Sequence, residues 1–60
     1  MNRDLILEMI GQLMLVEKID GRKFVARLIG IDGDELYFEN KQKLISMVKR
    51  AAICELTVVG

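Results

Sequence analysis

The dipeptide Asp20-Gly21 constrains the fold of this chain more than any other feature, because apolar-rich runs flank it on both sides. Asp-Gly is one of the strongest sequence signals for a tight β-hairpin, since both residues tolerate the left-handed backbone of such a turn. Residues 12–19 and 22–31 are therefore predicted to form two antiparallel strands. Apolar residues recur at period two in the second run, as one face of a strand requires: Phe24, Ala26 and Leu28.

Three more short runs are typical of strands, and tight turns separate them: residues 35–40, 44–48 and 53–59. In the first of these runs, Leu36 and Phe38 are predicted to face inward. Asp32-Gly33-Asp34 is a second turn signal. Gly30 interrupts the alternation of the second strand, since the next apolar residue is Ile31, and a glycine there indicates a bulge or sharp bend. Five short strands joined by tight turns favour a strongly bent antiparallel small barrel over an open sheet.

A short α-helix is predicted over residues 3–10, ahead of the first strand. Asn2 is its candidate N-cap, and Gly11 is the candidate residue just beyond its end. Four residues give the helix an apolar face: Leu5, Ile6, Met9 and Ile10. Because so short a helix is not stable alone, that face must pack on other residues. We therefore predict one mainly β domain over residues 1–60.

A domain of this size buries too little surface to be comfortably stable as a single subunit. Cys54 is the only cysteine and histidine is absent, which excludes an internal disulfide and argues against a structural zinc site. On its strand, Cys54 is predicted to be a small buried side chain. The hydrophobic content of 52% is high for so small a domain. As closing edge strands, residues 44–48 and 53–59 would aggregate unless a neighbour paired with them. These features predict burial of apolar surface between subunits.

Charge and composition exclude several classes of function. Nine basic and nine acidic residues give zero net charge, so any RNA contact must depend on local clusters of cations. No apolar run reaches the roughly 18 residues of a membrane span, and no signal peptide is visible, which predicts a cytoplasmic protein. We predict no enzyme, cofactor or metal site, with a magnesium site at Asp32 and Asp34 as a minor alternative.

Two segments resemble the motifs of the Sm and Sm-like (LSm) family. Residues 20–33, Asp-Gly-x-x-Phe-x-Ala-x-Leu-x-x-Ile-Asp-Gly, are similar to the first motif, with Ala26 where the family usually has Gly. Residues 47–53, Met-Val-Lys-Arg-Ala-Ala-Ile, resemble the second motif. They are closest to the bacterial Hfq branch, which reads Met-Val-Tyr-Lys-His-Ala-Ile. Gly11 and Gly21 share the spacing of the family's first-strand and hairpin glycines, so the resemblance covers nearly the whole chain.

The resemblance implies a five-stranded Sm-like barrel capped by a helix. It also implies homo-oligomeric rings of six or seven subunits, made when strand four of one subunit pairs with strand five of the next. Single-stranded RNA, uridine-containing, would bind at the ring pore through the loop after strand two and the loop between strands four and five. The residues of those loops here are Asp32, Asp34, Lys49 and Arg50. Possible contacts at the rim of the ring are Lys23, Tyr37, Lys41 and Lys43.

Some positions depart from the family's RNA-binding pattern. Gly33-Asp34 stands where Hfq has Gln-Phe, and residues 34–36 stand where Sm proteins have an aromatic residue or Met followed by Asn. Ala51 replaces the Hfq histidine, and Glu17 replaces a tyrosine of the opposite ring face. These departures favour an alternative, a structural or protein-interaction ring that has lost sequence-specific RNA recognition. A small barrel of another family is a third possibility.

Overall fold

The computed structural model describes residues 5–60 as one antiparallel sheet of five strands, with two short 3₁₀-helices. The first 3₁₀-helix is Leu5–Met9, and the second, Arg50–Ala52, joins the last two strands. The strands are β1 (Leu13–Lys18), β2 (Lys23–Asp32), β3 (Glu35–Glu39), β4 (Ile45–Lys49) and β5 (Ile53–Val58). Their order across the sheet is β4-β3-β2-β1-β5. Of the helices that the structure describes, none is long and apolar enough to cross a membrane.

All five predicted strands are present, and their ends lie within one residue of the predicted bounds. The predicted barrel, in contrast, is not closed. Because the 3₁₀-helix Arg50–Ala52 redirects the chain, β5 pairs with β1 and not with β4. Strands β4 and β5 are therefore the two edges of an open sheet, and within the described chain neither edge has a further partner strand.

The amino-terminal helix differs from the prediction. Of the α-helix expected over residues 3–10, Leu5–Met9 forms a 3₁₀-helix, while residues 3 and 4 and the N-cap candidate Asn2 lie outside the described residues. So short a segment favours the tighter i→i+3 hydrogen bonds. Gly11 ends it with φ +93°, and its N–H donates a hydrogen bond to the main-chain oxygen of Leu28 at 2.6 Å. That bond fixes the helix end to β2.

The core lies on one face of the sheet, where alternate residues of β1, β2 and β3 point inward. Its members are at most 8% exposed: Met14, Val16, Ala26, Leu28, Leu36, Phe38 and Val48. Phe24 meets Phe38 edge to face, with ring centres 5.7 Å apart, a geometry that aromatic pairs prefer. The inward positions that the sequence predicted for Leu36 and Phe38 are confirmed, since neither has accessible surface.

Two bulges bend the sheet. In β2, Leu28 pairs with Phe38 and Gly30 with Tyr37, so one extra residue lies between them. This confirms the interruption predicted at Gly30, and such bulges sharpen the twist of a strand. The second bulge lies in β5, where Cys54 is the extra residue. Cys54 was expected to be a small buried side chain, but the bulge on this edge strand leaves it exposed.

Candidate functional site

The two turns that the sequence assigned to RNA binding are in contact. The N–H of Arg50 donates a hydrogen bond to the main-chain oxygen of Asp34 at 2.6 Å. Lys49 at the end of β4 pairs with Glu35 at the start of β3, and Glu35 pairs with Asp32 at the end of β2. The pairing of three strands therefore collects all four predicted pore residues, together with Glu35, at one corner of the sheet. We call these five residues the charged corner.

Local backbone geometry builds this corner. Gly33 has φ +59°, a left-handed conformation that lets the chain reverse tightly between β2 and β3. After β4, the 3₁₀-helix Arg50–Ala52 turns the chain, and Ile53 N–H closes it on the main-chain oxygen of Arg50. The N–H of Ile19, at the β1–β2 hairpin, donates to the main-chain oxygen of Ala52 at 2.9 Å. The β1–β2 hairpin and the β2–β3 turn thus both contact the second 3₁₀-helix.

The charged corner combines two cations with three carboxylates. Lys49, Asp32 and Asp34 are exposed, whereas Arg50 and Glu35 are half-buried. Within the described part of the chain, Lys49, Asp32 and Asp34 form no ion pair. Lys49 is therefore accessible to an anion, but the neighbouring carboxylates oppose its approach.

Tyr37 lies on the outer face of the sheet, which is the face opposite the core. It pairs with Gly30 on one side and with Met47 on the other. A Cβ atom at Gly30 would lie 4.0 Å from the Tyr37 ring, so the ring lies beside this glycine. Tyr37 is two residues from Glu35 on the same face of β3. It is therefore the next outer-face side chain of β3 after the charged corner. It is half-buried and leaves part of its ring accessible.

The predicted rim lysines lie in two different segments of the chain. Lys41 and Lys43 lie in the β3–β4 turn, at the opposite end of β4 from Lys49. Asn40 builds this turn, since its side-chain oxygen accepts hydrogen bonds from the N–H groups of Gln42 at 2.9 Å and Leu44 at 3.0 Å. Lys23 is remote from this turn in the chain, at the start of β2. The rim contacts remain a prediction.

Sequence reasoning missed a groove of about 360 Å³ between the β1–β2 hairpin and β4. Three cations of the hairpin line one side of it: Lys18, Arg22 and Lys23. The other lining residues are Phe24, Ser46, Met47 and Val48. No local pattern predicts this groove, because it depends on how β4 passes the hairpin. Its cations could contact an anionic chain and its apolar residues a flat ring.

Among residues 5–60, no group of three or more His, Cys, Asp or Glu side chains is placed to hold a metal ion. Comparison with known proteins adds no further assignment: no family model matches the chain, and neither the curated proteins nor the solved structures contain a match. Any assignment of function therefore depends on the residues and the geometry of this chain.

Proposed function

We propose that this chain is an Sm-like subunit that assembles into a homo-oligomeric ring of six or seven copies and binds single-stranded, uridine-containing RNA at the ring pore. The observation that carries the proposal is that the charged corner contains the start of the link between the two open edge strands, β4 and β5. Lys49 and Arg50 begin the link from β4 to β5. If each β4 pairs with the β5 of the next subunit, this link repeats at every junction around the ring.

The edge strands support assembly. On β4, Ile45 and Met47 are each 59% exposed, and Val58 and Val59 are exposed at and beyond the end of β5. Both edges also present main-chain N–H and C=O groups without a partner strand in the described chain. Such edges aggregate unless they are covered. A second copy offers the complementary edge, and a ring leaves no edge open.

Arg50 and Lys49 support the RNA contact. A guanidinium group can stack on a base and pair with phosphate, while an ammonium group provides a point charge. One such pair beside three carboxylates binds weakly. Repetition of the pair around a ring raises the affinity for a strand that engages several copies at once. In the cytoplasm, where this proposal places the ring, the exposed thiol of Cys54 would stay reduced.

Native mass spectrometry with and without oligouridine tests both halves of the proposal. We expect a mass of six or seven subunits of 6.8 kDa and binding of one oligouridine per ring. In a titration followed by fluorescence anisotropy, affinity should fall with salt, with a slope of about 0.7 for each phosphate contact. A single-subunit mass at micromolar concentration would contradict the ring.

A matched pair of double variants tests the position of the RNA contact. Lys49→Ala/Arg50→Ala should lower oligouridine affinity by about tenfold or more, since it removes phosphate contacts. Lys41→Ala/Lys43→Ala removes the same charge at the other end of β4 and should cost clearly less. Native mass is measured for both variants, so that a loss of assembly is not mistaken for a loss of binding. Equal losses would indicate diffuse electrostatic attraction and contradict a pore site.

A second candidate function is a structural or protein-interaction ring. The observation that favours it is the excess of carboxylates in the charged corner, together with the absence of an aromatic residue among the five residues that form it. Such a ring would have the same native mass but would retain no oligouridine even at low salt. Binding that weakens in the Lys49→Ala/Arg50→Ala variant would exclude this candidate.

A further inference from the structure

One row of side chains on the outer face places two carboxylates side by side. Glu17 of β1 pairs directly with Lys23 of β2 on one side and with Glu55 of β5 on the other. Directly opposed residues of neighbouring strands share a face, and like charges in such positions destabilise the pair. Glu55 is exposed on the edge strand. Within the described chain it therefore faces a like charge on one side and an open edge on the other.

The opposite edge of the sheet carries an outward-facing cation. Ile45, Met47 and Lys49 are the outer-face residues of β4, since they pair with Glu39, Tyr37 and Glu35 of β3. All three are exposed. In the described residues, neither Lys49 nor Glu55 forms an ion pair. Lys49 lies opposite Glu35 of its own chain but forms no ion pair with it. Each edge strand thus has one outer-face charge, of opposite sign, that forms no ion pair among the described residues.

We propose that β4 of one subunit pairs with β5 of the next in the one register that places Lys49 opposite the partner subunit's Glu55. This inference rests on the proposed ring and specifies how its subunits recognise each other. The register completes an outer-face row of Lys49, the partner's Glu55, the partner's Glu17 and the partner's Lys23. The two carboxylates are then flanked by a cation on each side, which offsets their repulsion.

The same register matches the other residues of the two strands. It places Met47 opposite the partner's Thr57 and Ile45 opposite the partner's Val59 on the outer face. On the core face it places Val48 opposite the partner's Leu56. Ile45, Met47 and the partner's Val59, which are exposed in the single subunit, thereby become covered.

Neighbouring registers fit less well. A shift of two residues in one direction places the partner's Glu55 against Met47, and a shift in the other direction leaves it beyond the end of β4. A slip of one residue turns every side chain of β4 to the wrong face of the sheet. The charge pair therefore distinguishes among registers that the apolar residues alone would tolerate. In this register Lys49 contacts the partner's Glu55 at the same junction where the proposed RNA contact forms.

Engineered disulfides report the register directly, because only residues that lie opposite each other come within bonding distance. In a Cys54→Ser background, Met47→Cys/Thr57→Cys tests the proposed register. Ile45→Cys/Thr57→Cys and Met47→Cys/Val59→Cys test the two shifted ones, and none of these changes alters a charge. After mild oxidation, a non-reducing gel should show a ladder up to the full ring for the first pair and little beyond dimer for the others.

A dominant ladder from either shifted pair would overturn the register while leaving the ring intact. No ladder from any pair, with a single-subunit native mass, would contradict the proposed function as well. A full-size native ring without ladders would show assembly by another surface and overturn the register proposal. The two proposals can therefore fail separately.

Charge reversal tests the ion pair itself. Lys49→Glu and Glu55→Lys should each raise the protein concentration needed for assembly about fivefold or more, and the double variant should return it to the wild-type value. Glu55→Lys alone should also stabilise the single subunit, because it replaces a repulsion with Glu17 by an attraction. If Glu55 contributed only to the folding of its own subunit, Glu55→Lys would not stabilise the single subunit while weakening assembly. Lys43→Glu is the matched control for the charge change, and failure of the double variant to restore assembly overturns the proposal.

Discussion

Gly21 has φ +90° in the β1–β2 hairpin, whereas Gly30 in the bulge of β2 does not have a positive φ. An alanine in the left-handed region costs about 1–2 kcal/mol. We therefore expect Gly21→Ala to lower the free energy of unfolding by about that amount. At Gly30 a new Cβ would meet the Tyr37 ring at 4.0 Å, an ordinary contact, so Gly30→Ala should change it by less than about 1 kcal/mol. Urea unfolding of both variants at one protein concentration measures the difference, and equal losses would contradict this account of the hairpin.

Single residues also show where sequence reasoning succeeds and fails. Alternation predicted the inward positions of Leu36 and Phe38, because the period of a strand is a local property. The exposure of Cys54 was missed, since a bulge depends on how two strands pair. The contact between Arg50 and Asp34 is a main-chain hydrogen bond between turns 16 residues apart, which no spacing in the sequence reveals. The predicted pore residues were named from a resemblance, and the structure places them at one corner of the sheet.

At the scale of elements, strands were predicted more accurately than the helix or the sheet closure. Turn residues and alternation set the bounds of each strand locally. The 3₁₀-helix Leu5–Met9 was expected to be α-helical, because the pattern of its apolar residues does not distinguish the two helix types over one turn. Closure of a barrel depends on which strand pairs with β5. In this chain β5 pairs with β1, which lies far from it in the sequence. The groove beside β4 was missed for the same reason.

Ile45 is exposed on the open edge of β4, where a single substitution can block pairing with another chain. Ile45→Lys places a charge on the open edge, and lysine on an edge strand blocks pairing with another chain. Ile19→Lys is its matched control, because Ile19 is 69% exposed in the hairpin turn and lies outside both edge strands. We expect Ile45→Lys to remain folded but to run as a single subunit in light scattering coupled to size exclusion, while Ile19→Lys still assembles. Assembly of Ile45→Lys with wild-type mass would contradict β4 as an interface strand.

For the whole molecule, folding and assembly are expected to be coupled. Among residues 5–60, seven buried side chains form the core. A domain of 60 residues is marginally stable alone. If copies cover the two open edges, association adds to stability and the unfolding temperature depends on protein concentration. Each tenfold increase in concentration should add roughly 1 kcal/mol per subunit, which corresponds to a rise in Tm of about 4–8 °C for a domain of this size.

Thermal unfolding followed by circular dichroism over a hundredfold concentration range checks this coupling. Wild-type protein and Ile19→Lys should show the rise in Tm, whereas Ile45→Lys should unfold at a lower temperature that does not change with concentration. Comparing these variants separates the stability that comes from contacts within one subunit from the stability that comes from contacts between subunits. A wild-type Tm that stays constant over that range would mean that the open edges need no partner. The ring, its register and its pore would then lose their common physical basis.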